Sequence, residues 1–183
     1  MNNAFNIKID LVDMSPASSI FKYPQIPEKD KELLSWEIVG DVCISCDNIF
    51  LTQSKTSGQD SIANDYVWYF LTDFHKKIPD LLEGKCVKQI FFDNPDVLTL
   101  IPQEEAASII FECKCKNHDS KKECKTSTEK IVSALLRATK KLEVDLLNLN
   151  SSLEKSDELE ILREAYADSL NLLLKYGYSI SDD

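Results

Sequence analysis

The sequence predicts an α+β fold: a mainly antiparallel sheet with one packed central helix, followed by a C-terminal antiparallel helical hairpin. Apolar and polar residues alternate from Phe5 to Leu11, and a period of two places alternate side chains on one face of a strand. Two long apolar stripes of helical period end the chain. We divide the 183 residues into an α+β sheet domain over residues 1–118 and a helical hairpin over 119–183 that packs on it as one compact unit.

Further strands of the sheet domain are predicted from runs of β-branched and aromatic residues between turn signals. Trp36–Val42 and Cys43–Thr52 are two such runs, and Asp47-Asn48 is a turn because short Asx side chains tolerate left-handed backbone. Three prolines in residues 15–32 predict a loop there. The remaining predicted strands are Val87–Phe92, Val97–Ile101 and Ala107–Cys115.

The central helix is predicted to begin at a cap on Asp60 or Ser61 and to run to about Lys77. Its apolar stripe consists of Ile62, Tyr66, Phe70 and Phe74, with Val67 and Leu71 on the next row. His75 near its end is predicted to cap the helix or to lie on the surface, where a cation complements the helix dipole. Leu81 and Leu82 form a short extra turn before Gly84.

The hairpin is predicted from two amphipathic helices joined by a short polar break at residues 150–155. Thr126 and Glu129 form a capping box for the first helix, while Ser156 caps the second and Gly177 ends it. The first stripe comprises Ile131, Leu135, Ala138, Leu142, Leu146 and Leu149. The second comprises Leu159, Leu162, Tyr166, Leu170 and Leu173.

Charge and composition favour a basic protein as the partner. The chain has 21 basic and 31 acidic side chains, a formal net charge of -10, which nucleic acids and anionic membranes would repel. A basic surface would instead be attracted and its association accelerated, although solubility alone also accounts for such a charge. We expect a cytoplasmic protein with reduced thiols, because the start does not resemble a signal peptide and no long apolar run occurs.

The residues that catalysis requires are scarce, so we predict no catalytic residues and no cofactor. His75 and His118 are the only histidines, and with four glycines the chain has neither a nucleophile elbow nor a phosphate-binding loop. Cys43 and Cys46 have redox spacing, but in an extended segment they point to opposite faces.

One segment combines residue types that bind metals. Cys113, Cys115, His118 and Cys124 are four soft ligands, so a small zinc-binding domain built on them is an alternative function. Their spacing differs from the usual zinc knuckles, and Cys113 and Cys115 share one face of a predicted strand, where cysteine acts as an apolar filler. We therefore predict no bound metal.

The acidic hairpin is the predicted binding surface. Between Lys141 and Asp168 there are eight carboxylates against three cations. Solvation and the helix dipole account for some of them, and partner contact is the functional interpretation. Trp68 and Tyr69 are added as exposed aromatic anchors, the alternative being that they pack beneath a loop or sheet. The predicted partner-binding residues are Asp157, Glu160, Glu164, Asp168, Trp68 and Tyr69.

The architecture of residues 5–115 resembles that of small immunity proteins of bacterial polymorphic and contact-dependent toxin systems. The resemblance lies in the strands of Trp36–Thr52, the central helix with Tyr66–Leu71, the turn at Pro79–Gly84 and the strands that follow. It assigns no role to individual residues. It implies a non-catalytic inhibitor that occludes the active site of a basic toxin or nuclease. A structural subunit of a homo-oligomer, with the hairpin as its dimerisation element, is a further alternative.

Overall fold

Two four-stranded antiparallel sheets and a C-terminal helical pair confirm the predicted α+β fold. The structure is a computed structural model that describes residues 4–12, 14–31, 34–47, 49–52, 63–93, 96–104, 106–115 and 118–180. For residues 63, 113–115 and 118–120 it describes the backbone only.

The first sheet is built around one continuous strand, β2 (Val39–Cys46). β1 (Phe5–Leu11) pairs along its whole length, while β3 (Ile49–Phe50) and β4 (Ala63–Tyr66) share its other edge. The predicted division at Val42 is therefore wrong. Trp36 precedes the strand, in a 3-10 turn over Leu34–Glu37, and Asp47 takes the left-handed backbone of the predicted turn.

The second sheet is a meander of β5 (Val87–Ile90), β6 (Val97–Pro102), β7 (Ala107–Cys115) and β8 (His118–Thr126). The sequence did not predict β8, because the lysines of residues 114–125 hide its alternation. On β8, the side chains of Cys124 and Thr126 are buried and those of Lys121, Glu123 and Lys125 are exposed. Such charges suit an edge strand, where they discourage pairing with other chains. The predicted hairpin segment 119–183 therefore begins inside a strand.

The helix that follows β4 starts later than predicted. α3 spans Val67–His75, and its buried side chains include those of Val67, Phe70, Leu71 and Phe74. Tyr66 belongs to β4, which continues the same apolar pattern in extended form. The predicted caps Asp60 and Ser61 lie outside the described residues.

Three short helices flank α3 in the chain. α1 (Ser19–Lys22) and α2 (Glu28–Lys31) interrupt the predicted loop of residues 15–32. α4 (Ile78–Leu82) is the predicted extra turn, and Gly84 follows it with φ +80°.

The last two helices form the predicted antiparallel hairpin. α5 (Thr128–Leu149) and α6 (Asp157–Lys175) are joined by a 3-10 turn at Ser151–Lys155. Contacts between Glu129 and Ser179, and between Glu143 and Arg163, show that the helices run in opposite directions.

The capping predictions for the hairpin are partly confirmed. Ser156 caps α6 through its Oγ, which accepts from the amide of Leu159, and Gly177 after α6 has φ +80°. The cap of α5 is Ser127 and not Thr126, because Thr126 still pairs with Ala107 in the sheet.

A cysteine pair joins the two sheets and contradicts the expectation of reduced thiols for its members. Cys46 of β2 and Cys124 of β8 are buried, their Cα atoms are 6.3 Å apart and their sulfur atoms are bonded. Cys43 lies on the opposite face of β2, as its spacing from Cys46 predicted. The two sheets are therefore linked covalently as well as by packing.

We predict that Leu142→Asp lowers the free energy of unfolding by several kcal/mol, because Leu142 is fully buried where α5 packs in the core. Val144→Asp is the matched control, since Val144 is 47% exposed on the same helix and should tolerate the charge. Chemical denaturation of both variants measures the difference. Equal stabilities would show that the stripe of α5 is not the core face.

Candidate protein-binding surface

The outer face of α6 carries four of the predicted partner-binding residues. Asp157, Glu160, Glu164 and Asp168 are all exposed. They lie on one side of the helix, because spacings of three and four residues return to the same face. The stripe extends for about 17 Å at the helical rise of 1.5 Å per residue. Leu159, Leu162 and Leu173 on the opposite side are buried. The acidic stripe is therefore the face that packing leaves to solvent.

Two grooves border this stripe and meet at Ile161. The larger, of about 560 Å³, separates α6 from the end of α3 and from α4. It combines the carboxylates of Glu164 and Asp168 with apolar surface from Pro79, Ile161 and Leu172. Ile161 is 44% exposed, an isoleucine within an otherwise polar stripe. Lys76 and Lys175 also line this groove, so its charge is mixed at its edge.

The second groove, of about 530 Å³, lies between α6, α3 and the segment that holds α2. It is lined by Asp157, Ile161, Trp68 and Tyr69 among others. Five of the six predicted residues thus line two adjoining grooves, and Glu160 belongs to the same stripe of α6. Sequence reasoning missed Ile161. The sequence did contain a signal for it, because Ile161 lies four residues after Asp157 and three before Glu164 and so falls on the acidic stripe.

Trp68 is not the exposed anchor that the sequence predicted. Its side chain is buried, and its indole Nε1 donates to the backbone carbonyl of Glu158 at 2.9 Å. Glu158 is itself nearly buried, and burial raises the pKa of its carboxyl. Trp68 therefore fastens α3 to the first turn of α6, which is a packing role.

Tyr69 is half-buried and belongs to a group of aromatic side chains that sequence reasoning did not assemble. Its ring centroid lies 4.3 Å from that of Trp36 and 5.5 Å from that of Phe92, and Trp36 lies 5.1 Å from Tyr66. Trp36 is 44% exposed and Phe92 is 48% exposed. We call Trp36, Tyr66, Tyr69 and Phe92 the aromatic cluster. Tyr69 also lines the second groove, so the cluster adjoins it. Its rings come from three segments of the chain that only the fold brings together.

His75 is buried, which corrects the prediction of a surface or capping role. It lies between helices because α3 ends beneath α6, and it contacts Ser169 of α6 through Nδ1 at 2.7 Å and Thr139 of α5 through Nε2 at 2.8 Å. Thr139 Oγ1 donates its proton to the carbonyl of Leu135, so it accepts from Nε2–H. Nδ1 is then the acceptor of the Ser169 hydroxyl, and one neutral ring links three helices.

The His75–Ser169 pair resembles a base beside a nucleophile, but its burial assigns it to packing. Ser169 is 2% exposed in the middle of α6, and the pair lies in the wall of the larger groove with little surface of its own, its polar atoms occupied by hydrogen bonds between helices. Burial lowers the pKa of His75 to about 4, from an ordinary value of 6.5. The imidazole therefore stays neutral near pH 7, as the hydrogen bonds require.

A second polar contact holds the two helices of the hairpin together near the turn that joins them. Arg163 donates from Nε to Glu143 Oε1 at 2.6 Å and from a terminal nitrogen to Glu154 Oε2 at 2.8 Å. Lys140 donates to the other oxygen of Glu143 at 2.7 Å. Burial acts to raise the pKa of the Glu143 carboxyl, but the hydrogen bonds from Lys140 and Arg163 outweigh it and lower that pKa. These ion pairs fix α6 against α5.

Strand geometry rules out the four-ligand zinc site. His118 and Cys124 are six residues apart in β8, which is about 20 Å along an extended strand. Cys124 pairs with Ile109, whereas His118 pairs with Cys115 at the other end of the ladder, and the sulfur of Cys124 is bonded to Cys46. Cys113, Cys115, His118 and Cys124 cannot surround a single ion. The side chains of the first three lie outside the described residues.

Comparisons with protein-family models, with curated protein sequences and with solved structures found no match. Within the described part of the chain, no helix is both long and apolar enough to cross a membrane.

We predict that His75 makes the protein less stable in mild acid. Between pH 6.5 and about 4, His75 binds a proton in the unfolded state but not in the folded state. Its contribution to the free energy of unfolding is therefore complete above pH 6.5 and declines as the pH falls. Lowering the pH from 7 to 5 should cost about 2 kcal/mol through this residue. Denaturant unfolding at both pH values should show a smaller acid loss for His75→Gln than for the wild type. If both proteins lost the same stability between pH 7 and pH 5, protonation of His75 would not be the cause of the acid sensitivity.

Proposed function

We propose that the protein is a non-catalytic, acidic binding module that recognises a basic protein through α6. The observation that carries the proposal is the placement of Glu164 and Asp168 beside exposed Ile161, along the larger groove. A groove with apolar surface and a charged margin offers burial and charge complementarity together. The net charge of -10 would also steer a cationic partner towards this face.

The mode of action that best fits this surface is occlusion. An immunity-type inhibitor neutralises a basic toxin or nuclease by covering its active site, and needs no catalytic residues of its own. The rigid packing of α6 supports this mode, because a surface held by Trp68, His75 and Arg163 loses little conformational freedom on binding. The buried positions of His75 and Ser169 are consistent with a binding role.

We predict that Glu164→Lys combined with Asp168→Lys weakens binding of the partner, chiefly by slowing association. Neither residue forms an ion pair with the residues that the structure describes, so the reversal changes the surface charge and leaves the described ion pairs intact. The association rate should fall about tenfold at low salt, and the difference should shrink as salt rises. Wild type and variant are immobilised side by side to capture the partner from the source lysate, and both rate constants are then measured.

Glu104→Lys combined with Glu123→Lys is the matched control. Glu104 is exposed in the bend between β6 and β7 and Glu123 is exposed on β8, and the change in net charge is the same. The association rate constant of the control should fall by less than half as much as that of the α6 variant. Equal losses would place the steering surface elsewhere. A captured partner of acidic isoelectric point, or association that does not respond to salt, would contradict the proposed function.

A further inference from the structure

The aromatic cluster presents large rings to solvent, although such rings are ordinarily buried. Trp36 and Phe92 are 44% and 48% exposed, while Tyr66 and Tyr69 between them are half-buried. Trp36 stands edge-on to Tyr66, at 81°, and is tilted by 43° from Tyr69. The rings therefore form a small, partly open aromatic surface at the end of the second groove.

Two carboxylates, those of Asp65 and Glu37, hold the segments that carry these rings in place through hydrogen bonds. Asp65 is fully buried, and its carboxylate accepts from the backbone amides of Tyr66, Phe92 and Asp93 at 2.8–3.0 Å. Burial raises the pKa of the Asp65 carboxyl, against the effect of these donors. This contact ties the end of β4 to the segment that follows β5, which carries Phe92.

A second contact positions Trp36. The neighbouring carboxylate of Glu37 accepts from the amide of Ser19 at 2.7 Å and from the hydroxyl of Ser18 at 2.9 Å. The 3-10 turn that bears Trp36 is thereby anchored to the first turn of α1. Ser35 of the same turn donates to the hydroxyl of Tyr69 at 3.3 Å. The rings are held in place before any ligand arrives.

Acidic residues adjoin the cluster in the chain. Glu37 and Asp93 are exposed next to Trp36 and Phe92. The second groove leads from Tyr69 to Asp157 at the start of the acidic stripe, and Lys31 and Lys155 also line it. Open aromatic faces attract cations through their quadrupole, and nearby carboxylates strengthen that attraction. A planar guanidinium also stacks on aromatic rings, whereas an ammonium acts as a compact, strongly hydrated charge.

We propose that Trp36, Tyr66, Tyr69 and Phe92 form a docking point for an arginine side chain of the basic partner. This inference rests on the proposed function and specifies the residue that the surface recognises. The arginine stacks on the exposed rings of Trp36 and Phe92, which both pack against Tyr69, while the rest of the basic surface extends along the grooves towards Glu164 and Asp168.

The test uses the two indole N–H resonances of the full-length protein, one from each tryptophan. Trp36 is exposed and Trp68 is buried against α6, so the second resonance is an internal reference, and Trp36→Phe assigns the pair. The probes are tetra-arginine and tetra-lysine peptides with blocked ends, titrated at the same ionic strength. We expect the arginine peptide to shift the Trp36 resonance saturably and to bind about threefold to tenfold more tightly than the lysine peptide. The Trp68 resonance should barely move.

Phe92→Ala and Glu164→Lys/Asp168→Lys separate this inference from the proposed function. Phe92→Ala should abolish the preference for arginine and leave the binding of the lysine peptide unchanged, whereas the charge reversal should weaken both peptides alike. Thermal unfolding checks that each variant is folded. Equal affinity for the two peptides, or binding that leaves the Trp36 resonance in place, would overturn the docking point. If the charge reversal weakens the binding of both peptides, the acidic face of α6 is still supported as the binding surface of the proposed function.

Discussion

The fold depends on one constraint: the inner face of α6 must be buried on α3 and α5 at the same time. His75 shows how this is achieved, since its neutral ring accepts from Ser169 on α6 and donates to Thr139 on α5. The indole of Trp68 adds a bond to the backbone of Glu158, and Arg163 joins the carboxylate of Glu143. Each buried polar group has a partner on a different helix, so sliding one helix would leave several groups unsatisfied.

The outer face of α6 follows from that constraint. Once the leucines at 159, 162 and 173 are buried, the period of the helix directs Asp157, Glu160, Glu164 and Asp168 to solvent. The same packing leaves grooves on both sides of the stripe, because α3 and α4 support α6 along only part of its length. The buried leucines and the exposed carboxylates of α6 thus both follow from its amphipathic sequence.

Much of the architecture could be predicted because local patterns determined it. The alternation of β1 and the stripes of α5 and α6 are long enough to define both the type of element and its buried face. β8 was missed because its lysines mask the alternation, and α3 was started too early because Tyr66 continues the apolar pattern within a strand. In both cases pairing with a distant strand decided the conformation.

The site was predictable only where exposure follows from helical period. The four acids of α6 could be placed on an outer face, whereas Trp68 needed knowledge of what covers it, and its burial beneath α6 is a tertiary contact. Trp36 and Phe92 both pack against Tyr69 although they are 56 residues apart in sequence, so no local pattern predicts the aromatic cluster. The buried cysteine pair is likewise a product of how two sheets meet.

The central claim is that α6 is a fixed element whose outer face exists before a partner binds. Hydrogen exchange of its backbone amides tests this most directly, because exchange reports the free energy of local opening. If the helices unfold together, the amides of residues 161–173 in the free protein should be protected as strongly as those in the middle of α5. Amides of α6 that exchange much faster than those of α5 would contradict the account, since the acidic face would then form only on binding.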